Sequence, residues 1–289
     1  MGGRGEVAFT RHFRLFGMLA GTIALTIVDA RAQARLPAPT PCKAEVFATG
    51  KVATVRDGRS FTLEDGRDIR LAGIEVPYPG APGETAPRAE AGTAARAALQ
   101  TIVAGQNVEL RQTSATADRY GRILAFAFVN RDGVAASVAH EMLAKGFARV
   151  AAQIGDKPGD RACAAELLGK ERAARDGKLG LWGERYYAVV GAESFDELVA
   201  ERGRFTVVEG KVLSVRESGG TIYMNFGRRW SQALTVTILK RNERIFAAAG
   251  LDPKTLENRR LRLRGWVEDR SGPRIEATRP EQIEIAERN

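Results

Sequence analysis

Two arginines, Arg70 and Arg122, stand in segments whose other residues signal hairpins and strands: residues 57–78, DGRSFTLEDGRDIRLAGIEVPY, and residues 118–122, DRYGR. A guanidinium keeps its charge at any accessible pH and offers a fork of donors that matches a phosphate. The chemistry such a pair supports is recognition of a phosphodiester. Hydrolysis asks for more. Positive charge must meet the pentavalent transition state, which arginines supply, and a water must be activated by a carboxylate or a metal. The polar residues near the pair are Arg59, Glu75, Tyr78 and Tyr120, with Glu84 in the loop beyond. No Ser/His/Asp arrangement, zinc spacing or phosphate-binding glycine loop followed by Lys-Ser/Thr is present. His140 falls on a short helical stretch, where an ordinary structural role is favoured.

The elements that position these residues read mostly as strands. Val46, Ala48, Val52 and Val55 are bounded by Gly50 and Asp57-Gly58. Phe61 and Leu63 alternate, Asp65-Gly66 marks a hairpin turn, and Ile69 and Leu71 continue as the return strand until Pro77. Residues 78–87 are a Pro/Gly-rich loop. The stripe Ala91, Ala95, Ala98, Leu99 and Ile102 predicts a helix over 86–104. Strands are predicted at Val108–Leu110 and Ile123–Val129, and helices at about 136–145 and 160–176. A charged stretch, 184–204, reads as a linker with one short helix around Phe195–Val199. Beyond it GKVLSVR at 210–216 echoes GKVATVR at 50–56, so both halves are expected to open on a similar strand. Residues 205–289 carry several short strands with one helix, the pattern of a small OB-like barrel.

The length of 289 residues suits two domains, and 44% hydrophobic content is ample for their cores. The net charge of +9 favours polyanions as partners. Residues 1–32 read as a secretory signal peptide: Arg4, Arg11 and Arg14, then the uncharged run 15–28, then cleavage near Ala32 or Ala34. The expected location is therefore periplasmic or secreted, with an uncleaved membrane anchor as the alternative. Residues 33–44 form a Pro-rich leader. The only two cysteines, Cys42 and Cys163, are in an exported chain most simply a disulfide, the alternative being two buried thiols.

Residues 45–183 resemble the staphylococcal nuclease (thermonuclease) family. The shared pieces, in order, are Asp57-Gly58-Arg59-Ser60, Ile69-Arg70-Leu71, Gly73-Ile74-Glu75-Val76-Pro77, Asp118-Arg119-Tyr120-Gly121-Arg122, Gly146-Phe147-Ala148-Arg149-Val150, then Glu171, Ala174-Arg175 and Gly180-Leu181-Trp182. The resemblance implies an α+β, β-rich fold: an OB-type five-stranded barrel with three helices, here followed by the second small barrel. It implies that Arg70 and Arg122 are the two phosphate-gripping, catalytic arginines. It also implies a calcium ion held by two carboxylates and a glutamate base after the proline. Here the first calcium position is Arg59, the second is Glu75, and the base position is Tyr78. Arg59 either takes the cation's place beside Arg70 and Arg122 or points into solvent. Tyr78 and Tyr120 remain as contacts to nucleic acid, since phenols are poor bases at neutral pH.

The partner these features imply is single-stranded DNA or RNA. In the second half, Arg260, Arg262, Arg264 and Trp266 alternate with Leu261, Leu263 and Gly265, which puts them on one strand face. With Tyr223 and Arg228-Arg229-Trp230 that face combines charge and aromatics in a way that suits a single strand, or else forms an ordinary solvated exterior.

Overall fold

The computed structural model describes residues 2, 42, 45–78, 86–112, 117–151, 154 and 160–286. The expected signal segment, most of the Pro-rich leader and Glu84 lie outside them. Among the described residues no helix is long and apolar enough to cross a membrane. Residues 39–289 form one compact unit.

The alternating apolar residues build the first barrel. Strand β1 (Val46–Asp57) turns at Asp57-Gly58 into β2 (Ser60–Leu63), which turns at Asp65-Gly66 into β3 (Asp68–Leu71). Then follow β4 (Ile74–Glu75), α1 (Ala86–Val103), β5 (Asn107–Gln112), β6 (Ile123–Arg131) and β7 (Val134–Ser137). The half ends on α2 (Val138–Ala144), β8 (Arg149–Val150) and α3 (Asp160–Asp176). β1 pairs antiparallel with β2 and β5, β2 with β3, and β5 with β6, while β3 meets β6 in parallel. The pairings therefore run around a ring of five strands, in agreement with the fold the resemblance implies. Phe61, Leu63, Ile69, Leu71 and Phe126 point into the core, where Leu99 of α1 and Leu167 of α3 cover them. Cys42 and Cys163 form a disulfide with Cα atoms 4.5 Å apart, tying the leader to α3.

The second half begins earlier than its strand rhythm suggests. The stretch expected as a linker folds into a 3-10 turn at Arg185–Tyr187, β9 (Val190–Gly191) and α4 (Phe195–Ala200). Ala192 and Leu198 are buried in the second core. The short helix expected around Phe195–Val199 is α4, whereas β9 and the 3-10 turn are too short to show a period in the sequence. Then come β10 (Phe205–Lys211), β11 (Ser214–Ser218), β12 (Thr221–Asn225), β13 (Thr235–Leu239) and α5 (Glu243–Ala247). The last strands are β14 (Arg260–Trp266), β15 (Glu268–Asp269), β16 (Pro273–Glu276) and β17 (Ile283–Ile285). Two sheets, β17-β14-β10-β9 and β11-β12-β13-β16-β15, enclose one core. The GKVxxVR echo marks a bend in both halves. β1 has a register shift between Val52 and Thr54, and β10 gives way to β11 around the buried Val212.

The arginine face predicted on β14 is not a solvated surface. Arg264 is fully buried against the first half, its Nη1 donating to Glu171 Oε2 of α3 at 2.7 Å and its Nη2 to Glu284. Glu171 Oε2 also accepts the Val150 amide at 2.5 Å, and its other oxygen meets Arg175 at 3.1 Å. Arg260 and Arg262 are both held by Glu209 on the neighbouring β10, each at 2.7 Å. The two ends of the face stay open: the Arg260 side chain is 46% exposed and Trp266 50%. The alternation was read correctly, but the middle of the face opposite the leucines packs on the first half through Arg264, while its ends at Arg260 and Trp266 meet solvent.

Without its guanidinium the buried Glu171 and Glu284 would each keep only one arginine partner, Arg175 and Arg172, so Arg264→Ala is expected to destabilise the chain by about 3 kcal/mol in chemical denaturation. Acid should act on the same cluster. Burial raises the Glu284 carboxyl, but Arg264, Arg175 and Arg262 outweigh it and hold it below the ordinary value of 4.5. The folded chain thus keeps Glu284 ionised where the unfolded chain would take up a proton. That stabilisation is complete above about pH 4.5 and is lost as pH falls through the lower folded value. Thermal midpoints measured from pH 7 to 3 should fall less steeply for Glu284→Gln than for the wild type.

Candidate phosphate-binding site

Four short segments bring the predicted residues together. Arg59 sits in the β1–β2 turn, where its amide donates to Asp57 Oδ1 at 2.8 Å. The turn must hug α1: a Cβ on Gly58 would stand 2.8 Å from the Ala95 Cβ, which is why glycine follows the aspartate. Arg70 lies on β3 between β2 and β6, on the face opposite the buried Ile69 and Leu71. Glu75 lies on β4, paired with Arg149 of β8. Arg122 closes the 118–122 loop, in which Asp118 Oδ1 accepts the Tyr120 and Arg122 amides at 2.9 and 3.0 Å. Gly121 adopts φ +76°, a conformation that residues with a Cβ rarely take.

The side chains form an alternating cluster. Arg59 bonds Glu75 Oε2, and Arg70 donates to Glu75 Oε1 at 3.4 Å. Arg70 also lies 4.0 Å from Asp118 Oδ2, which Arg122 holds through Nε at 2.8 Å and Nη2 at 2.7 Å. Three guanidiniums thus share two carboxylates. Burial first, then the neighbouring Arg59, push the Arg70 guanidinium below its ordinary value, and Arg122 adds to this. Arginine titrates so far above neutrality that Arg70 stays a cation. The mutual repulsion of the three cations marks a place where an added anion is favoured. Desolvation raises the Asp118 carboxyl, but hydrogen bonds from Arg122 and from the loop amides prevail and hold it below the usual aspartate range.

Arg59 therefore takes the inward of its two expected orientations, with its side chain only 16% exposed. This decides the test for calcium. Calcium takes about six to eight oxygen ligands, with carboxylates foremost. Here the first carboxylate position carries a guanidinium, and both oxygens of Glu75 already face cations. The residues present do not fit calcium. The one cluster of metal-ligating types among the described residues, Cys42, His140 and Glu166, has its sulfur in the disulfide. Its His140 Nδ1 lies 3.4 Å from Glu166.

Tyr78 and Tyr120 are both open, 61% and 68% exposed. Arg122 and Arg119 face the Tyr120 ring at 5.1 and 5.4 Å from its centre. Arg59, Glu75 and Tyr78 also line a cleft of about 300 Å³ whose other wall comes from the second half, with Arg204, Phe205 and Trp266. None of those wall residues is near the signature segments in sequence, and only the lone tryptophan ending the Arg/Leu alternation hinted at one of them. Tyr223 and Trp230 line a separate cavity of about 240 Å³ with Arg270 and Arg274, not shared with the β14 arginines.

Residues 68–184 match the family of staphylococcal nuclease homologues. No curated protein matches the chain. The match starts at β3, and strand pairing of β3 with β2 joins the Arg59 turn to the same barrel.

Isothermal titration should detect no saturable calcium binding by the wild type at this site. Arg59→Asp replaces the blocking cation with a ligand and is expected to bind calcium with a Kd on the order of 10⁻⁴–10⁻³ M. Saturable wild-type binding that Glu75→Gln removes would contradict the cation–carboxylate reading.

Proposed function

Because residues 68–184 are a domain of the staphylococcal nuclease type, we propose that this is an exported protein that binds single-stranded nucleic acid on a nuclease fold. One observation carries the reading: Arg59 and Arg70 both engage Glu75, so the cluster presents cations where the family would hold a metal. An incoming phosphate competes with Glu75 and Asp118 for three guanidiniums and is bound without calcium. Arg70 and Arg122 are the principal grips, Arg59 adds charge, and Tyr78 and Tyr120 offer rings to neighbouring bases.

The same arrangement argues against efficient hydrolysis. Both carboxylates at the site are committed to arginines, and the residue after Pro77 is an exposed phenol. Transition-state charge could still be met, but no described side chain is free to take the proton of an attacking water. The competing reading, a working phosphodiesterase, rests on the two retained arginines. Export is supported by the signal-like residues 1–32 and by the Cys42–Cys163 disulfide, which forms and persists in oxidising compartments.

Purified protein should bind a labelled single-stranded oligonucleotide equally with calcium or with chelator. Affinity should fall with salt with a log–log slope of about −0.7, the value for one phosphate neutralised on a single strand. Arg70→Ala with Arg122→Ala should weaken binding at least about tenfold, since charge-assisted hydrogen bonds contribute ~1.5–3 kcal/mol each. No cleavage is expected from the wild type, whereas Arg59→Asp with Tyr78→Glu should gain calcium-dependent cleavage. Calcium-dependent cleavage by wild type, abolished by the double arginine variant, would establish the enzyme instead.

A further inference from the structure

The nuclease-type site is not bounded by its own domain. The cleft that Arg59, Glu75 and Tyr78 open into has its second wall on β10 and β14, and two large rings face it while remaining half in water. Trp266 is 50% exposed and Tyr78 61%. Phe205 backs Trp266 edge-on, with ring centres 6.1 Å apart, so the tryptophan is held from behind. The lining carries four arginines, Arg59, Arg88, Arg149 and Arg204, against the single carboxylate Glu75. Aromatic faces set among guanidiniums are the features that hold a single strand, where bases stack and phosphates meet cations. About 300 Å³ is at the small end of ligand sites, room for one nucleoside.

The cleft is also rigid. Arg149, fully buried, donates to the carbonyl of Phe205 at 3.1 Å and to that of Tyr187. Arg88 of α1 pairs with Glu201, which in turn accepts the Thr206 hydroxyl at 3.0 Å. The Arg264 cluster lies on the same interface. Ordering a wall before the ligand arrives removes that cost from binding.

We propose that the second barrel completes the site: a single-stranded nucleic acid with one phosphate on Arg70 and Arg122 places an adjacent base in the cleft, between Trp266 and Tyr78. This rests on the phosphate-binding reading above. It assigns a base-binding role to Trp266, on a domain outside the nuclease-type segment.

The test is fluorescence anisotropy of a labelled oligothymidylate on the full chain, with competition by inorganic polyphosphate as a base-free polyanion. Trp266→Ala should weaken oligonucleotide binding about tenfold and leave polyphosphate competition unchanged, while Trp266→Phe restores most of the loss. Tyr78→Leu, in the opposite wall, should show the same pattern and guards against a folding defect in the strand variant. Arg70→Ala with Arg122→Ala should lose both ligands. If that double variant loses oligonucleotide while Trp266→Ala and Tyr78→Leu bind as wild type, the base cleft is overturned and the phosphate site stands. Equal loss of polyphosphate in the ring variants also overturns the cleft. Full oligonucleotide binding by the double arginine variant overturns the phosphate reading, and the cleft assignment with it.

Discussion

A guanidinium with no access to water joins the two halves of the fold. Arg264 leaves β14, crosses to α3 and finds Glu171, with Glu284 of its own domain on the other side. Burying a cation is costly unless its charge and its donors are both met. Here each carboxylate is shared with a further arginine: Arg175 on Glu171, Arg172 on Glu284. The requirement is mutual, since removing any member leaves a charge stranded. It fixes which face of β14 turns inward and so where Phe205 and Trp266 stand relative to the phosphate site.

The site itself obeys the same rule in a wetter setting. Glu75 is a half-buried carboxylate on β4. In this chain Arg59 satisfies it, with Arg70 on the second oxygen. Three guanidiniums share two carboxylates, so the cluster carries a net positive charge. Among the described residues, both of its carboxylates are engaged by arginines.

Much of the first barrel was legible in the chain. Alternation at Phe61/Leu63 and Ile69/Leu71, the Asp-Gly turns and the alanine stripe of α1 each follow from local geometry, and the structure places them where the patterns put them. In the region 184–204 the helix around Phe195–Val199 was legible, but its place in the second core was not. The strand Val190–Gly191 and the 3-10 turn are shorter than the periods that reveal such elements, and they owe their burial to residues far away. The β14 arginines failed differently. Period two was right, yet a period cannot say whether the polar face meets solvent or another domain.

The sequence by itself determined most strands and turns of the first half and the nearness of Arg70 and Arg122, and it offered a disulfide as the simplest state of the two cysteines. These depend on local propensity and on motifs whose spacing carries the fold. Only the tertiary structure decided that Arg59 turns inward to Glu75, that Arg264 is buried rather than displayed, that the cysteines are bonded, and that Trp266 of the second half shares a cleft with Arg59 and Tyr78. Each of those is a choice of partner for a side chain. Such a choice is made by the neighbours that folding supplies, which lie 16 residues away for Glu75 and 93 for Glu171.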